Sequence, residues 1–183
     1  MKYLIASLLS LYAFVAVSHA QDRQVNGFME IPWGTPSEQA RTALEARTHA
    51  IYNAGASNAA KRWWNAGTFA GFPAATENSF ALEFSDNKLY KASVFLKPTS
   101  PGHKEEYKTM KKLLTEKYGT RTSEHNTGED WHAEWKFSSL GKEQATVSLE
   151  NSPGSQGCRV TYTLHALPSG SASPLPSAVK KDL

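Results

Sequence analysis

The sequence predicts an α+β domain, with two helices packed on one face of an antiparallel β-sheet and a meander in the C-terminal half. Three observations carry this expectation. A hairpin pattern followed at once by an amphipathic helix fills the stretch from Asn78 to Gly119. A second helical pattern begins at Pro36. Three segments between Trp131 and His165 alternate apolar and polar residues with period two, the mark of strands with one buried face.

At the N-terminus, Met1 and Lys2 precede an apolar run from Tyr3 to Val17, and Ser18-His19-Ala20 offers small residues where a signal peptidase cuts. Residues 1–20 are therefore expected to be a signal peptide, with the mature protein exported to the periplasm. The run is shorter than the roughly 20 residues of a membrane span, and no cysteine stands near the cut, so no stable membrane anchor is expected. Loss of Lys2 from the 20 basic residues leaves a near balance against 17 acidic ones. Such a balance gives no electrostatic footprint for nucleic acid, which needs basic residues clustered on one face.

Residues 21–166 form the expected domain. Gly27 to Ile31 reads as a first strand, broken by Pro32-Trp33-Gly34. Thr35-Pro36-Ser37-Glu38 reads as a capping box, in which the Thr35 hydroxyl accepts from the Glu38 backbone N–H and Pro36 takes the first helical position. Ala40, Ala43 and Leu44 give the helix its apolar stripe. A short strand is expected within His49 to Gly55.

From Ala56 to Asn78 the periodicity fails, since Gly67, Gly71 and Pro73 interrupt a segment that still holds Trp63, Trp64, Phe69 and Phe72 beside Lys61 and Arg62. These six residues are the candidate binding site. On one reading they form an exposed aromatic lid with the composition of an interface anchor. On the other, which the habits of loops favour, the aromatics tuck under the loop as a satellite of the core.

Phe80, Leu82 and Phe84 alternate with Ala81 and Glu83, and Ser85-Asp86-Asn87-Lys88 supplies a turn whose central residues tolerate positive φ. The return strand, Leu89 to Leu96, places Tyr90, Ala92, Val94 and Leu96 on one face and Leu89, Ser93 and Phe95 on the other, the pattern of a central strand. Ser100 then serves as N-cap and Pro101 as first helical residue for a helix whose apolar stripe is Tyr107, Met110, Leu113, Leu114 and Tyr118. Gly119 closes it. An amphipathic helix directly after a hairpin is expected to lie across the hairpin's apolar face.

A short strand at Arg121 to His125 leads into the meander. There Trp131, Ala133, Trp135 and Phe137 share a face; so do Ala145, Val147 and Leu149, and Cys158, Val160, Tyr162 and Leu164. The connections contain Gly141 and then Pro153, Gly154 and Gly157. Cys158 is the single cysteine, so no intramolecular disulfide can form, and its place in an apolar rhythm reads as a buried structural thiol. Residues 167–183 are rich in Pro, Ser and Ala without apolar periodicity, and are expected to be a disordered tail.

Catalytic signals are weak. His125, Glu129, Asp130 and His132 cluster near a turn but match no zinc-ligand spacing, and alternation puts His132 on the solvent face, so neither a metal nor a cofactor is expected. No Gly-x-Ser-x-Gly elbow or phosphate-binding glycine loop occurs.

The run Phe28-Met29-Glu30-Ile31-Pro32-Trp33-Gly34-Thr35-Pro36-Ser37-Glu38, with Ala40 and Leu44, resembles the opening of small exported bacterial domains of the SmpA/OmlA outer-membrane-assembly and beta-lactamase-inhibitor-like group. Ala70 to Ala74, Phe80, Phe84, Lys88-Leu89-Tyr90 and Lys117-Tyr118-Gly119 are similar to periplasmic relatives of that group. The resemblance implies a helix-on-sheet binding domain and brings no catalytic residue. The leading expectation is a soluble periplasmic module that recognises a protein partner, as an inhibitor, an immunity factor or an envelope-assembly accessory. The alternative is a small-ligand or cell-wall-fragment binder, or a hydrolase, that uses Trp63 and Trp64 as stacking platforms.

Overall fold

The computed structural model describes residues 24–99, 103–139, 142–151 and 157–165. The expected signal peptide and tail, the Ser100 and Pro101 cap, and the turn residues Gly141, Pro153 and Gly154 lie outside the described residues.

Eight strands form one antiparallel sheet. In chain order they are β3 (Ile51–Asn53), β4 (Lys61–Asn65), β7 (Phe80–Ser85), β8 (Lys88–Phe95), β9 (Ser123–Thr127), β10 (Asp130–Ser139), β11 (Lys142–Asn151) and β12 (Arg159–Leu164). Across the sheet the order is β3-β4-β7-β8-β12-β11-β10-β9. Two helices, α1 (Ser37–Thr48) and α2 (Lys104–Tyr118), each precede one set of four strands. The chain thus runs twice through helix then four-stranded meander, and the two last strands, β8 and β12, pair at the centre. Two small hairpins, β1 (Gly27–Phe28) with β2 (Ile31–Pro32) and β5 (Thr68–Phe69) with β6 (Phe72–Pro73), stand outside the sheet.

The register explains the core. Trp64, Phe80, Val94, Val160, Leu149 and Ala133 are successive cross-strand partners from β4 to β10, so they form one row on one face. All six are fully buried, and the helices cover them with Ala40, Leu44, Met110 and Leu114. This row shows the one apolar face that the alternation of the last three strands foretold.

Several expectations need correction. The first strand is instead the tight β1–β2 hairpin, because Met29 and Glu30 both take positive φ and reverse the chain within two residues. The capping box does not form. Thr35 Oγ1 donates to the Pro32 carbonyl (2.7 Å), and Glu38 is drawn to Arg62 (2.6 Å). The cap comes from the hairpin turn instead: Asn87 Oδ1 accepts from the Ser37 backbone N–H (3.2 Å) and from Ser37 Oγ (2.7 Å).

The stretch read as an aperiodic loop contains β4, a full member of the sheet between β3 and β7. In β8 the pairs Glu83↔Lys91 and Phe84↔Leu89 make Tyr90 the extra residue of a bulge. Leu89 is thereby buried with the core while Tyr90 turns to bond Glu83, so the two exchange the faces expected of them. Finally, α2 does not settle on the hairpin that precedes it. Tyr107 packs on Trp131, and Tyr118 on Phe137 and Tyr162, so α2 covers the C-terminal meander, whereas α1 sits against β8. Two helices on an eight-stranded sheet divide its apolar face between them. Gly119 closes α2 with φ of 84° and an N–H bonded to the Thr115 carbonyl (2.8 Å).

Candidate functional site

Both helices lie on one face of the sheet, and no element among the described residues covers the other. The same register maps it. One row runs Trp63, Ala81, Ser93, Thr161, Ser148 and Glu134. A row on one side runs Lys61, Glu83, Lys91, Thr163, Thr146 and Lys136; on the other side lie Phe95, Arg159, Glu150 and His132. All of these side chains except Lys136 border a trough of about 350 Å³. Ala81 and Ser93, small residues between larger ones, leave the depression beside the Trp63 ring.

Two aromatics anchor the trough. The ring centres of Trp63 and Phe95 are 6.2 Å apart, at 34° to each other. Lys61 Nζ lies 4.4 Å from the centre of the Trp63 ring, and the Arg159 guanidinium lies 5.8 Å from that of Phe95. Cations over ring faces hold both aromatics in place and add positive charge around them.

The carboxylates of the face are engaged. Glu83 takes Lys61 at 3.2 Å and Lys91 at 3.4 Å. Burial alone would raise its pKa, but the charge of Lys91 and the bond and charge of Lys61 outweigh burial and hold the carboxyl below its ordinary value. Glu150 accepts from Arg159 Nε at 3.1 Å, and its other oxygen is 3.8 Å from His132 Nδ1. Ser93 and Thr161 share a hydrogen bond of 3.1 Å at the centre. The arrangement offers stacking surface, fixed charges and hydroxyls, the equipment of recognition.

The six residues singled out from sequence part company. Lys61 and Trp63 stand on the open face. Arg62 and Trp64 point the other way, toward α1: Arg62 donates to Glu38 and to Ser37 Oγ (3.1 Å), and the fully buried Trp64 donates through Nε1 to Glu45 Oε1 (3.2 Å). Phe69 is buried, its ring stacked 5.9 Å from Phe28, and Phe72 packs half-buried against the same core. Neighbours in a strand face opposite sides, and that single fact separates Trp63 from Trp64.

No family model matches the chain, and no curated protein or solved structure matches it either.

Sequence reading left Phe95, Arg159, Glu83, Lys91 and Glu150 out of the site. The available signal was period two: each stands on the solvent-facing alternate of a strand. Of the acidic and histidine cluster near the β9–β10 turn, His132 lies opposite His125 in register, and His125 Nε2 is 2.8 Å from Thr127 Oγ1. Among the described residues no group of three or more His, Cys, Asp or Glu side chains is placed to hold a metal ion. Cys158 is fully buried, and burial, aided by the Glu106 charge, pushes its thiol up to about 12.

Proposed function

We propose that this protein is an exported binding module of the cell envelope whose open sheet face receives a protein partner. The observation that carries the proposal is the Trp63–Phe95 pair, flanked by Lys61 and Arg159, lining a trough that no element among the described residues covers. Aromatic and arginine side chains in a concave, partly dry setting are the groups that dominate protein–protein interfaces. Size agrees: eight strands spaced about 4.8 Å apart span roughly 34 Å. Such a face supplies on the order of the ~800 Å² that each partner buries in a specific complex. The rows of fixed charges flanking the aromatics favour a partner with complementary charge, and would set its register. Whether the role is inhibitor, immunity factor or assembly accessory, the module works by occupying another protein's surface.

Affinity capture from a periplasmic extract tests this. A stoichiometric protein should be retained by the native chain, released by salt, and lost from the Trp63→Ala variant. Equal retention by Trp63→Ala overturns the use of this face.

A further inference from the structure

On the helix side of the sheet, away from the trough, a cavity of about 610 Å³ opens between α2 and the small hairpins. Its lining is mainly apolar and includes Met29, Phe69, Met110, Leu114, Tyr118 and Tyr162. At its rim stand Arg47, Lys117 and Glu30.

The walls are built with backbone that side chains disfavour. Met29 and Glu30 make the β1–β2 turn with φ of 49° and 62°, and Ala70 and Gly71 make the β5–β6 turn with φ of 50° and 83°. Three of these four residues carry a side chain in the left-handed region, which costs free energy at each. Positions of this kind gather where a ligand is clamped. Gly27 is required as well, because a Cβ there would sit 2.1 Å from the Ile31 carbonyl oxygen. The hairpins meet beside their turns, where the Phe28 ring stacks on Phe69 and meets Tyr162 edge-on at 5.3 Å. The cavity is therefore held open by rigid turns.

We infer that this cavity is a binding site for a free medium-chain fatty acid, with its acyl chain against the apolar lining and its carboxylate at Arg47 and Lys117. The volume falls in the range of small-molecule sites. Met29 and Met110 give the lining the adaptability that a flexible chain needs. Among the described residues the rim holds two cations against one carboxylate, Glu30, which is exposed and 4.0 Å from Arg47. One unit of positive charge is thus left for one anionic head. A second copy of this chain fits poorly, since the strongly exposed large apolar side chain among the described residues is Ile51, on the edge strand β3.

Titration calorimetry of the purified protein with decanoate, dodecanoate and dodecanol tests the inference. Dodecanoate should bind one to one and roughly fifteenfold tighter than decanoate, since each of its two extra buried methylenes contributes about a fourfold gain. Arg47→Gln combined with Lys117→Gln should weaken dodecanoate at least tenfold in a protein that still unfolds cooperatively, and Leu113→Trp, on the half-buried lining, should abolish binding by filling the space. Absence of dodecanoate binding to the folded protein overturns the proposal. So does dodecanol binding as tightly as dodecanoate. A protein that sediments as a dimer and ignores both ligands would place a second copy in the cavity.

Discussion

Trp64 and Trp135 occupy equivalent places in the two halves of the sheet. Each sits on the second strand of its meander, fully buried, and each donates its indole N–H to the end of its own helix: Trp64 to Glu45 Oε1 at 3.2 Å, Trp135 to the Gly119 carbonyl at 3.0 Å. Each tryptophan pins one helix onto one half of the apolar face. With β8 and β12 paired antiparallel at the centre, the halves are related by an approximate twofold axis normal to the sheet. That arrangement sends both helices to one side and leaves the other uncovered among the described residues.

Trp64→Ala and Trp135→Ala should each cost about 3–5 kcal/mol in urea unfolding, the usual loss for a large aromatic removed from a packed core. Trp63→Ala, one residue away on the open face, should cost about 1 kcal/mol. Equal losses for Trp63→Ala and Trp64→Ala would contradict the assignment of faces.

Asn87 serves the hairpin turn, with φ of 61°, and at the same time caps α1 through Ser37. Asn87→Gly keeps the turn conformation and removes the cap, so it should destabilise by about 1 kcal/mol. Asn87→Ala should lose more, because alanine adds the left-handed strain of about 1–2 kcal/mol. Thermal or urea melts of the two variants check the order.

Cys158 should be inert in the folded protein. It is fully buried, and its thiol is pushed up to about 12 by burial and by the Glu106 charge, so almost no thiolate exists at neutral pH. An aromatic disulfide reagent should label one thiol per chain in guanidinium and none in buffer over the same time. Fast labelling of the native chain would contradict the packing.

Glu124 on β9 holds α2 through Lys111 at 2.8 Å and is bonded by Asn126 at 3.0 Å. The bond from Lys111, then that from Asn126, lowers its pKa to about 2 from an ordinary 4.5. A carboxyl depressed by folding adds stability that is present above the unfolded value and lost as pH falls through the folded one. The window is therefore from about 4.5 down to about 2. Because the pair lies near the surface, its worth is below about 1 kcal/mol. Glu124→Gln should flatten the pH dependence of stability by that amount in this window, and leave the slope above pH 5 unchanged.

The parts of the fold legible in sequence were those whose signals are local. The Asp86-Asn87 turn, the alternation in β10, β11 and β12 and the Gly119 stop each follow from a few neighbouring residues. What escaped depended on distant partners. Lys61-Arg62-Trp63-Trp64-Asn65 hides its strand because both faces of β4 carry large side chains, one packed under α1 and the other set in the trough. The α1 cap lies 50 residues away in Asn87, and no spacing rule could find it. The Tyr90 bulge inverted two faces because one inserted residue shifts every alternation beyond it. For the site, the aromatic and cationic residue types were visible, but their assembly from β4, β8 and β12 required the strand order.

The most direct test of the open-face account is the affinity of the captured partner for the native chain and for Trp63→Ala, with Lys112→Glu on the exposed side of α2 as the control. Truncation of a central aromatic anchor typically costs 2 kcal/mol or more, about thirtyfold in Kd. The account predicts a loss of at least that size for Trp63→Ala, with the fold intact by its unfolding curve, and no change for Lys112→Glu. An unchanged Kd for Trp63→Ala, or an equal loss for Lys112→Glu, would contradict it.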